Sequence, residues 1–308
     1  MPSLPPQIAA RRAEQRARLR RRRLTAALLV AAVALIALAV IAASGGGRTA
    51  ATSTTTATAP RAPTAPRRTR SSAAPTGPSA AVSRLARLGY PVYCAGPHGR
   101  ALAFTFDDGP GPYTHFALKK LRQAGQRATF FAVGRSIGNF PGWLQREAPL
   151  AAIEDHTLTH PLLTAFGPAE IERQIAGARR QIESVTGRPV QLFRPPYGAH
   201  NATVDAIARR LGLLDILWNV DSADSLGANY AGITRNVEAG LRPGAIILMH
   251  ENRGQTIRAL TTILPELRRR GLRSVSLPEL LASDPPSLAQ LKAGPRGCGS
   301  TLLHGSGG

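Results

Sequence analysis

Short apolar runs alternate with amphipathic stretches over most of the chain after residue 82, and this alternation limits the possible fold more than any other feature. Runs of about four to eight residues are typical of buried strands, and longer stretches with helical periodicity are typical of helices. Repeated strand and helix alternation favours a parallel α/β sheet or barrel. The predicted strands are 101–106, 128–133, 190–193, 214–220, 245–249 and 273–276. The predicted helices are 113–123, 142–148, 168–185, 202–211, 233–240, 255–270 and 278–281.

Two adjacent carboxylates, Asp107 and Asp108, follow the first predicted strand. The C-terminal ends of parallel strands are where such folds place their chemistry. Neighbouring side chains on a strand diverge, so one carboxylate could bind a metal while the other has a different task. By itself, Asp-Asp-Gly is better explained as a pair of turn-forming aspartates.

Two histidines, His156 and His160, are spaced four residues apart. A helical turn would bring both imidazoles to one face. With one carboxylate they would form a facial triad that leaves coordination positions open. The alternative is a pair of histidines with no metal, since this spacing recurs by chance.

Taken together, five segments resemble the ordered motifs of the polysaccharide deacetylases with a NodB homology domain, carbohydrate esterase family 4. They are Thr-Phe-Asp-Asp-Gly-Pro at 105–110, His-Thr-Leu-Thr-His at 156–160, Arg-Pro-Pro-Tyr at 194–197, Asp-Ser-Ala-Asp at 221–224 and Leu-Met-His at 248–250. The resemblance covers roughly 97–285. It implies a distorted (β/α) barrel with the site in a groove at the C-terminal ends of the strands.

This resemblance also implies a role for each matching residue. Asp108, His156 and His160 would hold a divalent metal, with zinc expected and cobalt, manganese or nickel as alternatives. Asp107 would be the general base, and Arg194 would orient it and keep it ionised.

The remaining implied roles concern the leaving group and the substrate. His250 would be the general acid, paired with Asp221. The main-chain N–H of Tyr197 would help bind the oxyanion. Leu248 would line the pocket for the acetyl methyl group, and Pro195 belongs to the same substrate-facing motif.

Two positions depart from the family pattern. Family members commonly have a Gly-rich approach with Asn before the first metal histidine, whereas this chain has Ala-Ala-Ile-Glu-Asp at 151–155. Asp155 is therefore expected to add negative charge near the metal. Ser225 stands where the fourth motif usually ends in Trp, which makes the substrate less certain than the chemistry.

The N-terminal region is basic and then apolar. Residues 1–80 contain 13 of the 39 Lys and Arg residues but one acidic residue, Glu14. Residues 24–43 carry no charge, Pro or Gly, and about 20 helical residues span a bilayer core. The pattern predicts a cytoplasmic tail at 1–23 and a signal anchor at 24–43, with the rest of the chain outside the cell. A cleaved signal peptide is the alternative.

Four further expectations complete the organisation. Residues 44–80, rich in Thr, Ala and Pro, are predicted to form a disordered linker, followed by a catalytic domain at 81–285 and a loose tail at 286–308. Cys94 and Cys298 could form a disulfide in an oxidising exterior or remain free thiols. Because the basic run adjoins the apolar segment, a membrane explains it better than nucleic acid. A monomer is expected.

The leading hypothesis is metal-dependent N-deacetylation of an extracellular glycan, such as peptidoglycan or a chitin-like polymer. An O-acetyl esterase of the xylan type could use the same residues. A protein that binds surface glycan without turnover is a third interpretation, because the usual Trp is replaced by Ser225. Turnover, more than metal content, separates this third interpretation from the other two.

Overall fold

The computed structural model describes residues 79–299. The predicted cytoplasmic tail, the membrane segment at 24–43 and nearly all of the linker lie outside the described residues, as do residues 300–308. Between residues 79 and 299, no helix has both the length and the apolar character needed to cross a membrane.

Ten helices and eight strands make up the described region. The helices are α1 (Ala80–Leu88), α2 (Thr114–Ala124), α3 (Gly134–Asn139), α4 (Trp143–Glu147), α5 (Pro168–Thr186), α6 (Ala202–Arg210), α7 (Tyr230–Ala239), α8 (Gly254–Arg269), α9 (Leu277–Ser283) and α10 (Leu288–Ala293). The strands are β1 (Ala101–Gly109), β2 (Ala128–Ala132), β3 (Ala151–Asp155), β4 (Leu192–Phe193), β5 (Leu214–Asp215), β6 (Val220–Asp221), β7 (Ile246–His250) and β8 (Arg273–Ser274). Short 3₁₀ turns occupy Leu163–Ala165, Pro196–Gly198 and Gly294–Cys298.

All strand pairs in the sheet are parallel, in the order β5-β4-β3-β2-β1-β7-β6, with β8 pairing with β1. The path does not close on itself through a β5–β6 pair, so the fold is a parallel-strand half-barrel. This confirms the expected α/β class and its distorted barrel form. Crossover helices cover the sheet, as parallel connections require.

The central strand β1 positions the site. Its first seven residues are all buried, which is typical of a parallel strand covered on both faces. In the ladder between β1 and β7, Asp107 lies directly opposite His250. On the other side, Asp107 lies opposite Phe131 of β2. The register therefore places two predicted catalytic residues side by side at one end of the sheet.

The structure also corrects several element predictions. Strand β3 was not predicted as a strand, and the expected strand at 214–220 is two short strands, β5 and β6, separated by 216–219. Helices α1 and α3 were missed. The tail was expected to be loose, but α10 and the 3₁₀ turn Gly294–Cys298 order it as far as the disulfide.

Cys94 and Cys298 form that disulfide, with Cα atoms 5.7 Å apart across a separation of 204 residues. The bridge joins the segment before β1 to the end of the described tail. Asn219 also contacts this end, because its side-chain amide donates to the carbonyl of Cys298 at 3.1 Å. The predicted pairing is therefore confirmed, and residues 286–299 pack as part of the domain.

Candidate active site

An irregularity near the end of strand β1 separates the two carboxylates, because the register against β2 shifts between Asp107 and Gly109. Asp108 has a φ of 71°, a left-handed conformation that is uncommon outside glycine. Gly109 follows it, and a Cβ atom there would lie 1.3 Å from Oε1 of the buried Glu251. The Asp-Asp-Gly sequence therefore has a packing reason as well as a chemical one.

Asp108, His156 and His160 meet at the floor of a groove, as predicted. Oδ1 of Asp108 lies 3.3 Å from Nε2 of His160 and 3.8 Å from Nε2 of His156. Two ligand atoms that each lie about 2.1 Å from one ion are separated by roughly 3 to 4 Å, so these residues fit a divalent metal. The donor set of two imidazole nitrogens and one carboxylate oxygen suits transition ions, zinc among them.

The two histidines come together without a helical turn. Residues 156–160 form a loop, in which Thr157 and His160 have φ values of 69° and 58°. Nδ1 of His156 lies 2.8 Å from the carbonyl oxygen of Arg194. A proton on Nδ1 would donate to this carbonyl and leave Nε2 free to bind the metal.

Asp155 supports this loop. Its Oδ1 accepts a hydrogen bond from the N–H of Thr157 at 2.7 Å. Burial raises the pKa of Asp155 well above its usual range, against the expectation that this carboxyl adds negative charge at the metal. We conclude that Asp155 holds the loop that carries His156.

Electrostatics also suit the trio to metal binding. Burial and the neighbouring His156 lower the pKa of His160 to about 4, so its imidazole is neutral at neutral pH. Burial opposes ionisation of Asp108, but the surrounding histidines hold its pKa below the usual value. Asn252 donates to Oδ2 of Asp108 at 3.3 Å. A neutral imidazole and an ionised carboxylate are the forms that bind cations.

Arg194 holds Asp107 from the side opposite the histidines. Its Nη1 donates to Oδ1 of Asp107 and to Oγ1 of Thr105, each at 2.8 Å. The guanidinium is fully buried and also donates to two main-chain carbonyls, those of Ile216 and Leu217. Because its hydrogen bonds fix the plane of the guanidinium, the contact orients Asp107, as the family resemblance implied.

His250 has a carboxylate partner, but not the predicted one. Oδ1 of Asp224 lies 2.7 Å from Nδ1 of His250, and Oδ2 accepts from the main-chain N–H of His250 and from Thr256. Asp221 instead accepts from the N–H of Ala223 at 2.7 Å. The turn between Asp221 and Asp224 brings the later aspartate back to His250, which spacing alone did not reveal.

This pairing sets the charge of His250. Burial opposes protonation, but the hydrogen bond and charge of Asp224 raise the pKa of His250 to about 9. Its imidazole is therefore cationic at neutral pH. A cationic imidazole beside Asp107 is able to donate a proton to a departing group.

The groove around these residues has a volume of about 410 Å³. Tyr197 lies at its mouth, 68% exposed, with its ring 4.7 Å from the ring of His160. Leu248 and Ser225 line it, whereas Pro195 is buried beneath the motif and does not. The groove lining is Asp107, Asp108, His156, His160, Tyr197, Gly198, Trp218, Asp221, Ser225, Leu226, Leu248, His250 and Arg253.

Sequence reasoning missed several residues of this site. Trp218 lines the groove, and its ring lies 5.6 Å from the guanidinium of Arg194. The sequence did contain a signal for it, because an aromatic residue lies three positions before the fourth motif. Thr105 and Asn252 carried no such signal, since their roles depend on contacts across the sheet.

Comparison with known proteins agrees with this geometry. The family described as polysaccharide deacetylase matches residues 95–215. A chitooligosaccharide deacetylase of Bradyrhizobium sp. is 35% identical over 198 residues, covering 59% of this chain and 90% of the relative. A peptidoglycan-N-acetylglucosamine deacetylase of Bacillus cereus is 33% identical, covering 62% of this chain and 72% of the relative.

Solved structures share the fold. A family 4 pseudoenzyme from Bacillus anthracis has a TM-score of 0.59 at 28% identity, covering 62% of this chain and 68% of that one. The same fold therefore occurs in a protein described as a pseudoenzyme, so the fold alone does not establish activity and the side chains in the groove must be considered. With those side chains in place and the curated relatives matched, the chain belongs to the polysaccharide deacetylases of carbohydrate esterase family 4 and is a deacetylase.

Proposed function

We propose that this deacetylase is metal-dependent and removes N-acetyl groups from amino sugars of a cell-wall glycan, peptidoglycan first. The observation that carries the proposal is that Asp107 and the cationic His250 lie side by side next to the Asp108, His156 and His160 trio. Amide hydrolysis needs a proton acceptor on the attacking side and a proton donor on the leaving side. Both groups line the same groove.

Asp108, His156 and His160 would hold the metal ion. When bound, a divalent ion supplies Lewis acidity, which favours ionisation of water at neutral pH and polarises a carbonyl oxygen. Asp107 is positioned to accept the proton of the attacking water. Arg194 keeps the Asp107 carboxylate in one orientation, with its Oδ2 on the side of His156 at 3.6 Å.

His250 favours an amide over an ester substrate. An amine leaves an amide only when it is protonated, whereas an alkoxide needs this assistance less. The pKa of about 9 matches that demand, because His250 retains its proton at neutral pH until the C–N bond breaks. This is why we place N-deacetylation ahead of O-deacetylation.

The rest of the groove would bind the acetyl group and the sugar. Leu248 offers an apolar contact for the methyl group, and the main-chain N–H of Tyr197 would donate to the developing oxyanion. Such a donor is worth about 3 to 4 kcal/mol in favourable sites. The exposed ring of Tyr197 at the mouth suits a polymer that extends beyond the groove.

We further propose that the domain works outside the cell, held by the apolar segment at 24–43 and spaced from the membrane by residues 44–80. The Cys94–Cys298 bridge supports an oxidising compartment, because disulfides are rare in the reducing cytosol. The substrate in that location would be the cell wall. Fractionation of cells expressing the chain, followed by protease treatment of intact spheroplasts, tests this location.

The test of the function is acetate release by the full-length chain from peptidoglycan, chitooligosaccharides and acetylated xylan. We expect release from the N-acetylated glycans and little from xylan. Preferential release from xylan would favour the esterase. No release from any of the three, with zinc, cobalt, manganese or nickel supplied, would favour glycan binding without turnover and overturn the proposal.

A further inference from the structure

A second cluster of possible metal ligands lies outside the groove. His200 follows the 3₁₀ turn Pro196–Gly198, Asp205 lies in α6, and Asp215 ends β5. One ligand atom from each of the three lies within 4.8 Å of the other two. Within residues 79–299, this cluster and the Asp108, His156 and His160 trio are the two groups of His, Cys, Asp and Glu that meet this condition. None of the three residues lines the catalytic groove.

Asp215 is the unusual member of this cluster. It is 6% exposed, no N–H or hydroxyl among the described residues donates to its carboxylate oxygens, and the carboxyl of Asp205 lies close enough to share a proton with it. Asp205 lies beside it, and burial with this second carboxyl raises the pKa of Asp215 well above its usual range. The charges of His200 and Arg194 offset part of this effect, and a shared proton or a bound cation would compensate the remaining charge of the two carboxyls.

His200 is arranged to add a third ligand. Its Nε2 lies 3.3 Å from the hydroxyl of Tyr93, and its Nδ1 lies 3.0 Å from Oδ1 of Asp205. The hydrogen bond to Asp205 raises the pKa of His200, so without an ion Nδ1 carries a proton that faces the carboxylates. A bound cation would displace that proton and use the Nδ1 lone pair, while Nε2 donates to Tyr93. A second hydrogen bond that fixes the tautomer is the usual support of a metal-binding histidine.

Solvent reaches the cluster from one side. The side chains of His200 and Asp205 are 25% and 24% exposed, while Asp215 forms the buried end. An ion could therefore enter past His200 and Asp205 and reach Asp215. A proton would neutralise one carboxylate, whereas a divalent ion would compensate both and also use the imidazole.

We propose that His200, Asp205 and Asp215 form a second divalent-cation site, separate from the catalytic trio. One imidazole and two carboxylates suit zinc or manganese, with water completing the coordination. The three ligands come from the segment after β4, from α6 and from β5, so the ion would tie these elements together. Arg194 and Tyr197 precede the same segment, and the site would thereby stabilise the wall of the groove.

The test is the metal content of the full-length chain after chelation, equilibration with zinc and removal of free ion. We expect about two zinc ions per chain in the wild type and about one in Asp205→Asn. Asp205→Asn is the chosen variant because its side chain is partly exposed and the amide keeps its size. Glu279→Gln, an exposed carboxylate on α9, is the matched control and should retain both ions.

A second set of variants isolates the site from catalysis. The double variant His156→Ala/His160→Ala should still bind about one zinc ion per chain and should melt at a higher temperature with zinc than without it. Adding Asp205→Asn should abolish both effects. Equal zinc content in wild type and Asp205→Asn, or one ion in the wild type that the double variant loses, would assign a shared proton to the cluster and overturn the proposal.

Discussion

The two sides of the groove use the same residue type in opposite charge states. On one side, burial and His156 lower the pKa of His160 to about 4, and its Nε2 faces Asp108 at 3.3 Å. On the other side, burial also opposes charge, yet the hydrogen bond to Asp224 raises the pKa of His250 to about 9. The 2.7 Å hydrogen bond between His250 and Asp224 makes the difference, because Asp108 acts on His160 through its charge alone. One imidazole is suited to bind a cation and the other to give up a proton.

Asp107 lies between these two sides, so its replacement is expected to have the largest effect on activity. In Asp107→Asn the amide cannot accept a proton, and kcat should fall by about 10² to 10⁴. Zinc content at the trio should remain, because Asp107 is not among its ligands. Acetate release and metal analysis on the same preparation check both statements. Activity within a few-fold of wild type would show that another group accepts the proton.

Asp224 and Asp221 provide a matched pair for the His250 side. The folded protein stabilises the charged form of His250, whose pKa is raised to about 9. The imidazole is therefore a proton donor below this pKa and loses its proton as the pH rises through about 9. Asp224→Asn should lower kcat by roughly 10- to 100-fold and move the alkaline limb of the pH–rate profile below 9.

Asp221→Asn is the control for that shift. Asp221 accepts from the N–H of Ala223 and is not hydrogen-bonded to His250, so the alkaline limb should stay near its wild-type position. Profiles of kcat from pH 6 to 10 for the two variants decide the matter. A shift in Asp221→Asn with none in Asp224→Asn would restore the pairing that the motif had implied.

Tyr197 should give a smaller effect that is confined to substrate binding. Its ring is exposed at the mouth of the groove, whereas the proposed oxyanion contact uses its main-chain N–H. Tyr197→Ala should therefore raise KM by roughly 2- to 10-fold, the value of one aromatic contact, and change kcat less. Phe116→Ala, an exposed aromatic outside the groove, should change neither. A lower kcat with an unchanged KM in Tyr197→Ala would contradict the assignment of the ring to substrate binding.

Loss of the disulfide should lower the stability of the fold and leave the chemistry on both sides of the groove unchanged. The bridge closes a loop of about 200 residues, so the double variant Cys94→Ser/Cys298→Ser should lose about 2 to 5 kcal/mol of unfolding free energy. Chemical denaturation of oxidised wild type and of the variant measures the loss. Near-wild-type kcat below the melting temperature is expected, and a large loss of kcat would place the tail in catalysis.

The sequence predicted the catalytic end of the sheet well because parallel topology gathers the ends of strands. Asp107 and His250 end neighbouring strands, and their proximity follows from that rule. Strand β3 was missed because it carries Glu154, whose buried Oε2 accepts from the N–H groups of Gln191 and Leu192. Polar residues in a buried strand conceal the apolar pattern.

Other features depended on contacts that no local pattern encodes. The loop 156–160 takes left-handed conformations supported by Asp155, so helical spacing was a poor guide to it. Asp224, and not Asp221, is the partner of His250 because of the conformation of the turn between the two aspartates. The second cluster joins residues 200, 205 and 215, whose proximity exists only after β4 and β5 pair.

We propose that the trio of Asp108, His156 and His160 holds a metal on which deacetylation depends. The most direct measurement is acetate release from an N-acetylglucosamine oligomer by the full-length chain, first chelated and then resupplied with zinc, cobalt, manganese or nickel one at a time. In the wild type we expect loss of release on chelation and recovery with at least one ion, and in His156→Ala we expect no recovery. Undiminished release by the chelated chain, shown by analysis to be metal-free, would contradict it.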